Sequence, residues 1–396
     1  MNTRNLRLIC LLTISLSFPV FSWAAQTPQA HAVSSAHPLA TDAGIEILKK
    51  GGNAFDAAVA VTSVLAVVEP YSSGLGGGGF WLLHRASDGF ETMIDGRETA
   101  PAAAHKDMYL DAKGEVIAGL SIDGPLSAAI PGVPAALVHL AEKYGKLDLK
   151  TSLRPAIDIA KNGFEVDERY RLLTGFRKDS LNKYSHTAKL FLKDGEVPPL
   201  GHVIKQTDLA EVLEQIASKK NKGFYQGNVA KKLVDGVVKA GGNWTLADLE
   251  NYKIVEREPI KGSYKGIEIV AAPLPSSGGV ALLEMLNILS GFELEKLDEV
   301  TQKHLVVEAM RRAYRDRAEY AGDPDFVSVP VKRLASKDYA DGLRASIRMD
   351  KATLSSSLPG IDKAPEGPHT THFSILDKEG NRVSATVTIN YPFGSA

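Results

Sequence analysis

Cysteine is almost absent from this chain of 396 residues, which contains only Cys10. A mature protein without its first residues therefore has no thiol, which excludes disulfide bonds, cysteine nucleophiles and cysteine-ligated metals. An excess of one charge is missing too, since 46 Lys and Arg stand against 47 Asp and Glu. A nearly neutral protein gives no electrostatic reason to expect nucleic acid or an anionic membrane as partner.

A hydrophobic run long enough to span a bilayer is also missing. Residues 1–24 combine two arginines, an apolar stretch over 8–20 and the small-x-small sequence Ser22-Trp23-Ala24. The stretch is shorter than the roughly 20 residues of a spanning helix, so a secretory signal peptide is favoured over an uncleaved anchor. We predict that residues 1–24 are removed on export and that the mature protein is periplasmic or secreted, without insertion into the membrane.

The remaining chain has ordinary globular composition, with 44% hydrophobic and 23% charged residues. The spacing of apolar residues predicts a helix over 39–50, ended by Gly51-Gly52, and a second over 56–68 that is apolar nearly all round. A tetraglycine run, residues 76–79, precedes a buried strand over 80–84 and indicates either a sharp turn or a close backbone approach.

The second half predicts mostly helices over 150–260, a strand over 266–271 and a helix over 280–289. From residue 372 the pattern becomes that of a hairpin, with arms over 372–376 and 382–389. In the second arm, apolar residues alternate with polar ones. One face therefore belongs to the core and the other is able to line a site.

Thr370 is the candidate nucleophile. It opens the first arm of the hairpin after a flexible segment, where peptide cleavage would give it a free α-amine that serves as base for its own hydroxyl. His369 and His372 flank the pair Thr370-Thr371, but residues three apart on a strand face opposite sides. A structural role is therefore favoured over a metal site, and no metal or cofactor is expected.

Three further residues are candidates for the same site. Thr388 and Asn390 lie on the polar face of the second arm, within reach of Thr370 if the hairpin pairs in the simplest register. Arg97 follows a predicted strand, and it is either a surface charge or a clamp for a substrate carboxylate.

Seven segments of the chain resemble, in order, the γ-glutamyltransferase (γ-glutamyltranspeptidase) family. They are residues 51–58 (GGNAFDAA), 75–80 (LGGGGF), 95–101 (DGRETAP), 130–134 (IPGVP), 275–279 (PSSGG), 320–326 (YAGDPDF) and 370–390. Together they cover essentially the whole mature chain.

The resemblance implies an α/β (α+β) fold of the N-terminal-nucleophile hydrolase type, a four-layer αββα sandwich. It also implies a precursor that cuts itself between His369 and Thr370 into a large subunit, residues 25–369, and a small subunit beginning at 370. The two subunits would remain paired. The implied substrates are glutathione and related γ-glutamyl compounds, with water, amino acids or dipeptides as acceptors.

The resemblance also assigns roles to the four candidates. Thr370 matches the nucleophile and Thr388 the threonine that orients it. Asn390 matches the asparagine that holds the substrate α-amino group, and Arg97 the arginine that holds its α-carboxylate.

The family's small subunit is several times longer than residues 370–396 and carries the glycine pair of the oxyanion hole. The resemblance therefore implies a chain truncated within the small subunit, with a sandwich incomplete at its C-terminus. Two alternatives accompany the transferase interpretation: a β-lactam side-chain acylase of the same fold, and an inactive truncated fragment. Arg97 and Asn390 argue against the acylase, because they suit a free amino acid end.

Overall fold

The computed structural model describes residues 28–358 and 370–396. The predicted signal peptide and His369 therefore lie outside the described residues. In the described part, no helix combines the length and the apolar character that crossing a bilayer requires.

The described residues contain fourteen α-helices. They are α1 (Pro38–Lys49), α2 (Ala54–Val68), α3 (Val133–Lys143), α4 (Leu149–Asn162), α5 (Glu168–Asn182), α6 (Ser185–Phe191), α7 (Thr207–Lys219), α8 (Lys222–Tyr225), α9 (Gly227–Lys239), α10 (Leu246–Glu250), α11 (Gly278–Leu289), α12 (Glu299–Tyr320), α13 (Val331–Leu334) and α14 (Lys337–Arg344).

The same part contains ten strands. They are β1 (Ala32–Ser34), β2 (Gly78–Arg85), β3 (Phe90–Asp95), β4 (Phe164–Glu165), β5 (Val203–Ile204), β6 (Val255–Arg257), β7 (Ile260–Tyr264), β8 (Ile267–Ala271), β9 (Thr370–Leu376) and β10 (Arg382–Thr388). Six of them form an antiparallel sheet in the order β1-β9-β10-β2-β3-β6. The carboxy-terminal hairpin β9-β10 thus lies inside the sheet, between β1 and β2.

Helix α2 fills the space beneath the sheet and is buried along its whole length. It begins at a capping box. The Asn53 side-chain oxygen accepts hydrogen bonds from the amides of residues 55 and 56, and the Asp56 carboxylate accepts one from the Asn53 amide. It ends just before Pro70, which has no amide hydrogen to continue a helix. Apolar side chains from β9 and β10, among them Phe373 and Val387, join α2 in one core.

The hairpin β7-β8 lies over the opposite face of the sheet. Glu268 and Val270 of β8 line a cavity of about 520 Å³ together with sheet residues such as Leu82. Lys261 of β7 also forms an ion pair with Glu91 of β3, with 2.7 Å between Nζ and Oε2.

The other side of the β7-β8 hairpin packs on α11, which in turn packs on α12. At Gly262 a side chain would collide with Leu283 of α11. The order of layers is therefore helices, six-stranded sheet, two-stranded hairpin and helices, as the αββα prediction requires.

Most elements predicted from the sequence are present, with bounds shifted by at most two residues. The predicted helices over 39–50, 56–68 and 280–289 correspond to α1, α2 and α11. The predicted arms of the terminal hairpin correspond to β9 and β10, joined by a turn over residues 377–381. The predicted alternation also holds, since Val383, Ala385 and Val387 are buried.

Candidate active site

The site begins where the two strands of the terminal hairpin meet. Thr370, the first residue of β9, lies directly opposite Thr388, the last residue of β10. The Thr370 hydroxyl donates to Oγ1 of Thr388 across 3.3 Å, and the backbone amide of Asn390 donates to the same oxygen across 2.9 Å. Thr388 is 8% exposed whereas Thr370 is exposed, so the contact joins a buried hydroxyl to an accessible one.

The tetraglycine run explains how the backbone comes so close to Thr388. A β-carbon at Gly77 would overlap the carbonyl oxygen of Thr388. Gly77 also accepts hydrogen bonds from the amides of Gly132 and Val133, at the start of α3. Of the two predicted interpretations of this run, the structure shows the close approach, and it occurs beside the candidate site.

Arg97 and Asn390 share one cavity of about 660 Å³. The walls come from residues 70–76, which lead into the tetraglycine run, from residues 121–129 and from the turn that follows β10. Thr370 and Thr388 are not among the residues that line this cavity, although Asn390 follows Thr388 by two positions. The structure therefore brings the predicted residues together as two pairs, the hydroxyls of Thr370 and Thr388 and the cavity-lining side chains of Arg97 and Asn390.

The Arg97 guanidinium remains available to an anion. Its carbon lies 5.8 Å from the centre of the Phe80 ring, and its Nε lies 3.4 Å from Oε2 of Glu98. Burial raises the pKa of the Glu98 carboxyl, against the opposing effect of the Arg97 charge. The Arg97 side chain is 37% exposed, so an anion in the cavity can reach its guanidinium.

A chain of ion pairs fixes the backbone that carries Arg97. One oxygen of the Asp95 carboxylate accepts a hydrogen bond from the Arg97 amide across 3.0 Å. The other oxygen accepts one from Nε of Arg257 across 2.7 Å. Nη1 and Nη2 of Arg257 also donate to the two carboxylate oxygens of Asp325, across 3.1 and 2.6 Å. The hydrogen bonds that Arg257 donates to Asp325 and Asp95 raise the pKa of its guanidinium further, so it stays charged. The segments over 95–101 and 320–326, far apart in sequence, therefore meet at one arginine.

Sequence reasoning did not find Arg257. It lies at the end of β6 in a stretch rich in charges, and nothing in its spacing distinguishes it from a surface residue. Asp325 did belong to one of the segments that carry the family resemblance. His372, set aside as structural, contacts the hydroxyls of Thr386 and Ser384 at 2.7 and 3.3 Å, which agrees with that interpretation.

Comparison with known proteins identifies the fold and its relatives. The profile of the gamma-glutamyltranspeptidase family matches residues 40–396, which is nearly the whole described chain. This chain belongs to the γ-glutamyltranspeptidase family. It is 42% identical over 398 residues to the glutathione hydrolase proenzyme of Pseudomonas sp. strain A14, covering 97% of this chain and 68% of the relative.

Solved structures of the family agree. The crystal structure of Helicobacter pylori gamma-glutamyltranspeptidase is 41% identical, has a TM-score of 0.80 and covers 85% of this chain and 97% of its own. The Acylase ACY 1 proenzyme of Pseudomonas sp. strain V22 is 40% identical over 371 residues, covering 91% of this chain and 65% of the relative. The chain thus spans about two thirds of the length of these curated relatives.

The family settles several expectations at once. The α+β N-terminal-nucleophile hydrolase fold is confirmed, and the chain belongs to a family of enzymes made as self-processing precursors. Such enzymes act on small molecules as two paired subunits. The roles of Thr370, Thr388, Arg97 and Asn390 stay predictions.

Proposed function

We propose that this chain is a γ-glutamyltransferase and glutathione hydrolase proenzyme with Thr370 as its nucleophile. One observation carries the proposal most directly: an exposed threonine hydroxyl at the start of β9 is hydrogen-bonded to the buried hydroxyl of Thr388. Two residues beyond Thr388, Asn390 shares a cavity with Arg97, so the acyl-accepting hydroxyl lies next to groups that suit an amino acid.

Self-processing is the first reaction of the Thr370 hydroxyl. Its oxygen attacks the carbonyl carbon of the peptide bond that joins residues 369 and 370, and the proton passes to the departing amide nitrogen. The C–N bond breaks, which leaves an ester on the oxygen and a free α-amine on Thr370. Water then hydrolyses the ester, which restores the hydroxyl and releases the new carboxylate of residue 369. Residues 25–369 become the large subunit, and the small subunit begins at residue 370.

Turnover uses the same hydroxyl with the new amine as its base. The amine takes the hydroxyl proton while the oxygen attacks the γ-glutamyl amide carbon, and the released amine of the substrate receives that proton. The C–N bond breaks and an ester forms between Thr370 and the glutamyl group. Water or the amine of an amino acid or dipeptide then takes the acyl group and restores the hydroxyl.

Selectivity for a glutamyl group follows from the two charge-binding residues. Arg97 pairs with the α-carboxylate, and Asn390 accepts the α-ammonium group through its side-chain oxygen. A ligand that lacks either charge leaves a site group without its partner, which costs on the order of 1 to 3 kcal/mol. Glutathione and related γ-glutamyl compounds satisfy both residues.

An acylase activity is the second candidate, favoured by the 40% identity to the Acylase ACY 1 proenzyme. A glutaryl amide has a carboxylate but no α-ammonium group, so it would use Arg97 and leave Asn390 without its partner. Competition between glutathione and a glutaryl amide distinguishes the two activities. Stronger inhibition by the glutaryl amide would favour the acylase.

Export to the periplasm or the exterior accompanies the proposed activity. The arginines at 4 and 7 and the apolar stretch that follows support it. Amino-terminal sequencing of the secreted protein is expected to start at or within a few residues of Ala25. A mature protein that keeps Met1 would contradict export by signal cleavage.

Substitution of the two adjacent threonines tests the nucleophile. Thr370→Ala is expected to abolish both self-cleavage and γ-glutamyl transfer, because one hydroxyl makes both attacks. Thr371→Ala, the matched control, removes a buried hydroxyl that faces the core and should retain at least one of the two activities. Denaturing electrophoresis reports cleavage, and release from a chromogenic γ-glutamyl anilide reports transfer. A Thr370→Ala protein that still splits into two chains would refute the assignment.

A further inference from the structure

Helix α5 carries an arginine in the middle of its buried stripe. Tyr170, Leu173, Thr174 and Leu181 occupy the inner face of this helix at helical spacing, and Arg177 lies among them with only 5% of its surface exposed. A charge at such a position is costly unless it is paired and hydrogen-bonded. The partners of Arg177 therefore indicate what the charge does.

Those partners lie in two of the segments that form the walls of the cavity shared by Arg97 and Asn390. Arg177 donates through Nε to the carbonyl of Pro392 across 2.9 Å and through Nη2 to the carbonyl of Gly394 across 3.3 Å. The same Nη2 donates to Oδ1 of Asp123 across 2.6 Å. One buried guanidinium thus joins the segment before residue 124 to the turn after β10.

Asp123 is itself held as an anion. Burial acts to raise its pKa, but hydrogen bonds from Ser180 and Arg177 outweigh that effect and keep the pKa below its usual value. The Ser180 hydroxyl lies 2.7 Å from Oδ2 of Asp123, and Lys183 lies 3.7 Å from the same oxygen. The ion pair therefore joins α5 to the loop over residues 121–128 through a charged acceptor.

The turn over residues 390–394 needs such support because its backbone is strained. Asn390 and Phe393 have φ values of 69° and 59°, in the left-handed region that residues other than glycine rarely adopt. Strained residues of this kind persist only where the surrounding structure holds them. Here the Phe393 ring packs against Tyr170 at 5.9 Å, and the Arg177 guanidinium lies 5.1 Å from the centre of the Tyr391 ring.

We propose that Arg177 is a positioning residue of the active site, which fixes the 390–394 turn and thereby the placement of Asn390. The residue touches no substrate and acts through the backbone carbonyls of the turn. The part that concerns ligand binding rests on the proposed function, because it takes the γ-glutamyl α-ammonium group as the ligand of Asn390. The part that concerns the turn rests on geometry alone.

Binding of free L-glutamate, measured by calorimetry on the full chain, tests the first part. Arg177→Met replaces the aliphatic part of the side chain but removes the guanidinium and its three hydrogen bonds, and is expected to weaken L-glutamate binding tenfold or more. Arg177→Lys should weaken it less, because an ammonium group reaches fewer of the same acceptors. Arg154→Met is the matched control, since Arg154 of α4 is 57% exposed and pairs with Asp158 of its own helix.

Amide hydrogen exchange over residues 389–396 tests the second part and does not depend on glutamate. Exchange there should become at least tenfold faster in Arg177→Met than in Arg154→Met, with the core of α2 unchanged. A folded Arg177→Met protein with unchanged exchange in this segment overturns the proposal. Faster exchange with unchanged L-glutamate affinity overturns its link to Asn390. If the parent chain bound no L-glutamate, the proposed function would fail, and the exchange result would still decide whether Arg177 holds the turn.

Discussion

Replacing Arg257 with methionine should both destabilise the protein and weaken ligand binding. The substitution leaves the Asp95 carboxylate, whose side chain is 7% exposed, without its 2.7 Å partner. Breaking a buried pair in this way typically costs 3 to 5 kcal/mol, because one charge stays buried and uncompensated. Asp95 keeps the hydrogen bond from the Arg97 amide, so we expect the lower end of that range, about 3 kcal/mol.

Asp325→Asn provides the matched control. It weakens the other half of the same network, but the Asp325 side chain is 53% exposed, and an exposed pair contributes only about 0 to 1 kcal/mol. A second control is Asp95→Asn combined with Arg257→Met. The double variant has no buried unpaired carboxylate and should recover part of the lost stability.

Denaturant unfolding at neutral pH and L-glutamate calorimetry measure the two effects. Because Asp95 positions the backbone of Arg97, Arg257→Met should also weaken L-glutamate binding. The affinity should fall roughly tenfold for each 1.4 kcal/mol of binding free energy that is lost. Equal stability losses in Arg257→Met and Asp325→Asn would refute the argument from burial. A large stability loss with unchanged L-glutamate affinity would refute the connection to Arg97.

Three further substitutions test separate parts of the structure. Arg97→Ala should still undergo self-cleavage. Its catalytic efficiency should fall by the equivalent of about 2 to 5 kcal/mol, which is the range for breaking a desolvated charge pair. Near-normal kinetics in the processed variant would mean that another group holds the carboxylate. Gly77→Ala should lower the free energy of unfolding by about 1 to 3 kcal/mol, because the added carbon clashes with Thr388. At Gly76 the added carbon meets open space, so Gly76→Ala should cost far less in the same denaturant assay. Glu256 is buried in part, but hydrogen bonds from Lys143, His139 and Tyr144 lower its pKa from 4.5 to about 2. Its folded-state pKa is depressed, so its contribution is present above pH 4.5 and is lost as pH falls toward 2. The stability advantage over Glu256→Gln should therefore shrink across that window, and a constant difference would exclude the linkage.

The local elements followed from local chemistry. Helix α2 was predictable because its apolar residues leave no polar face and Pro70 stops it, and the terminal hairpin because Val383, Ala385 and Val387 alternate with polar residues. The candidate nucleophile was also accessible from sequence, since a threonine that opens a strand is a local feature. The ordered segments of the family resemblance then supplied the fold.

The connections between distant segments were not predictable in the same way. Arg257 and Arg177 occur in stretches where a charged residue is unremarkable, and only the fold reveals that the first contacts Asp95 and Asp325 and the second Asp123 and Pro392. A long guanidinium side chain reaches several acceptors, and which ones it finds depends on how the layers stack.

The sequence by itself therefore determined several helices and strands, including the terminal hairpin, together with the family and the chemical identity of the candidate nucleophile. The tertiary structure decided which side chains position the residues of the candidate site. The physical reason is range: periodicity, capping and turn preference act within a few residues, whereas burial of a charge and the pairing that compensates it are properties of groups brought together from distant parts of the chain.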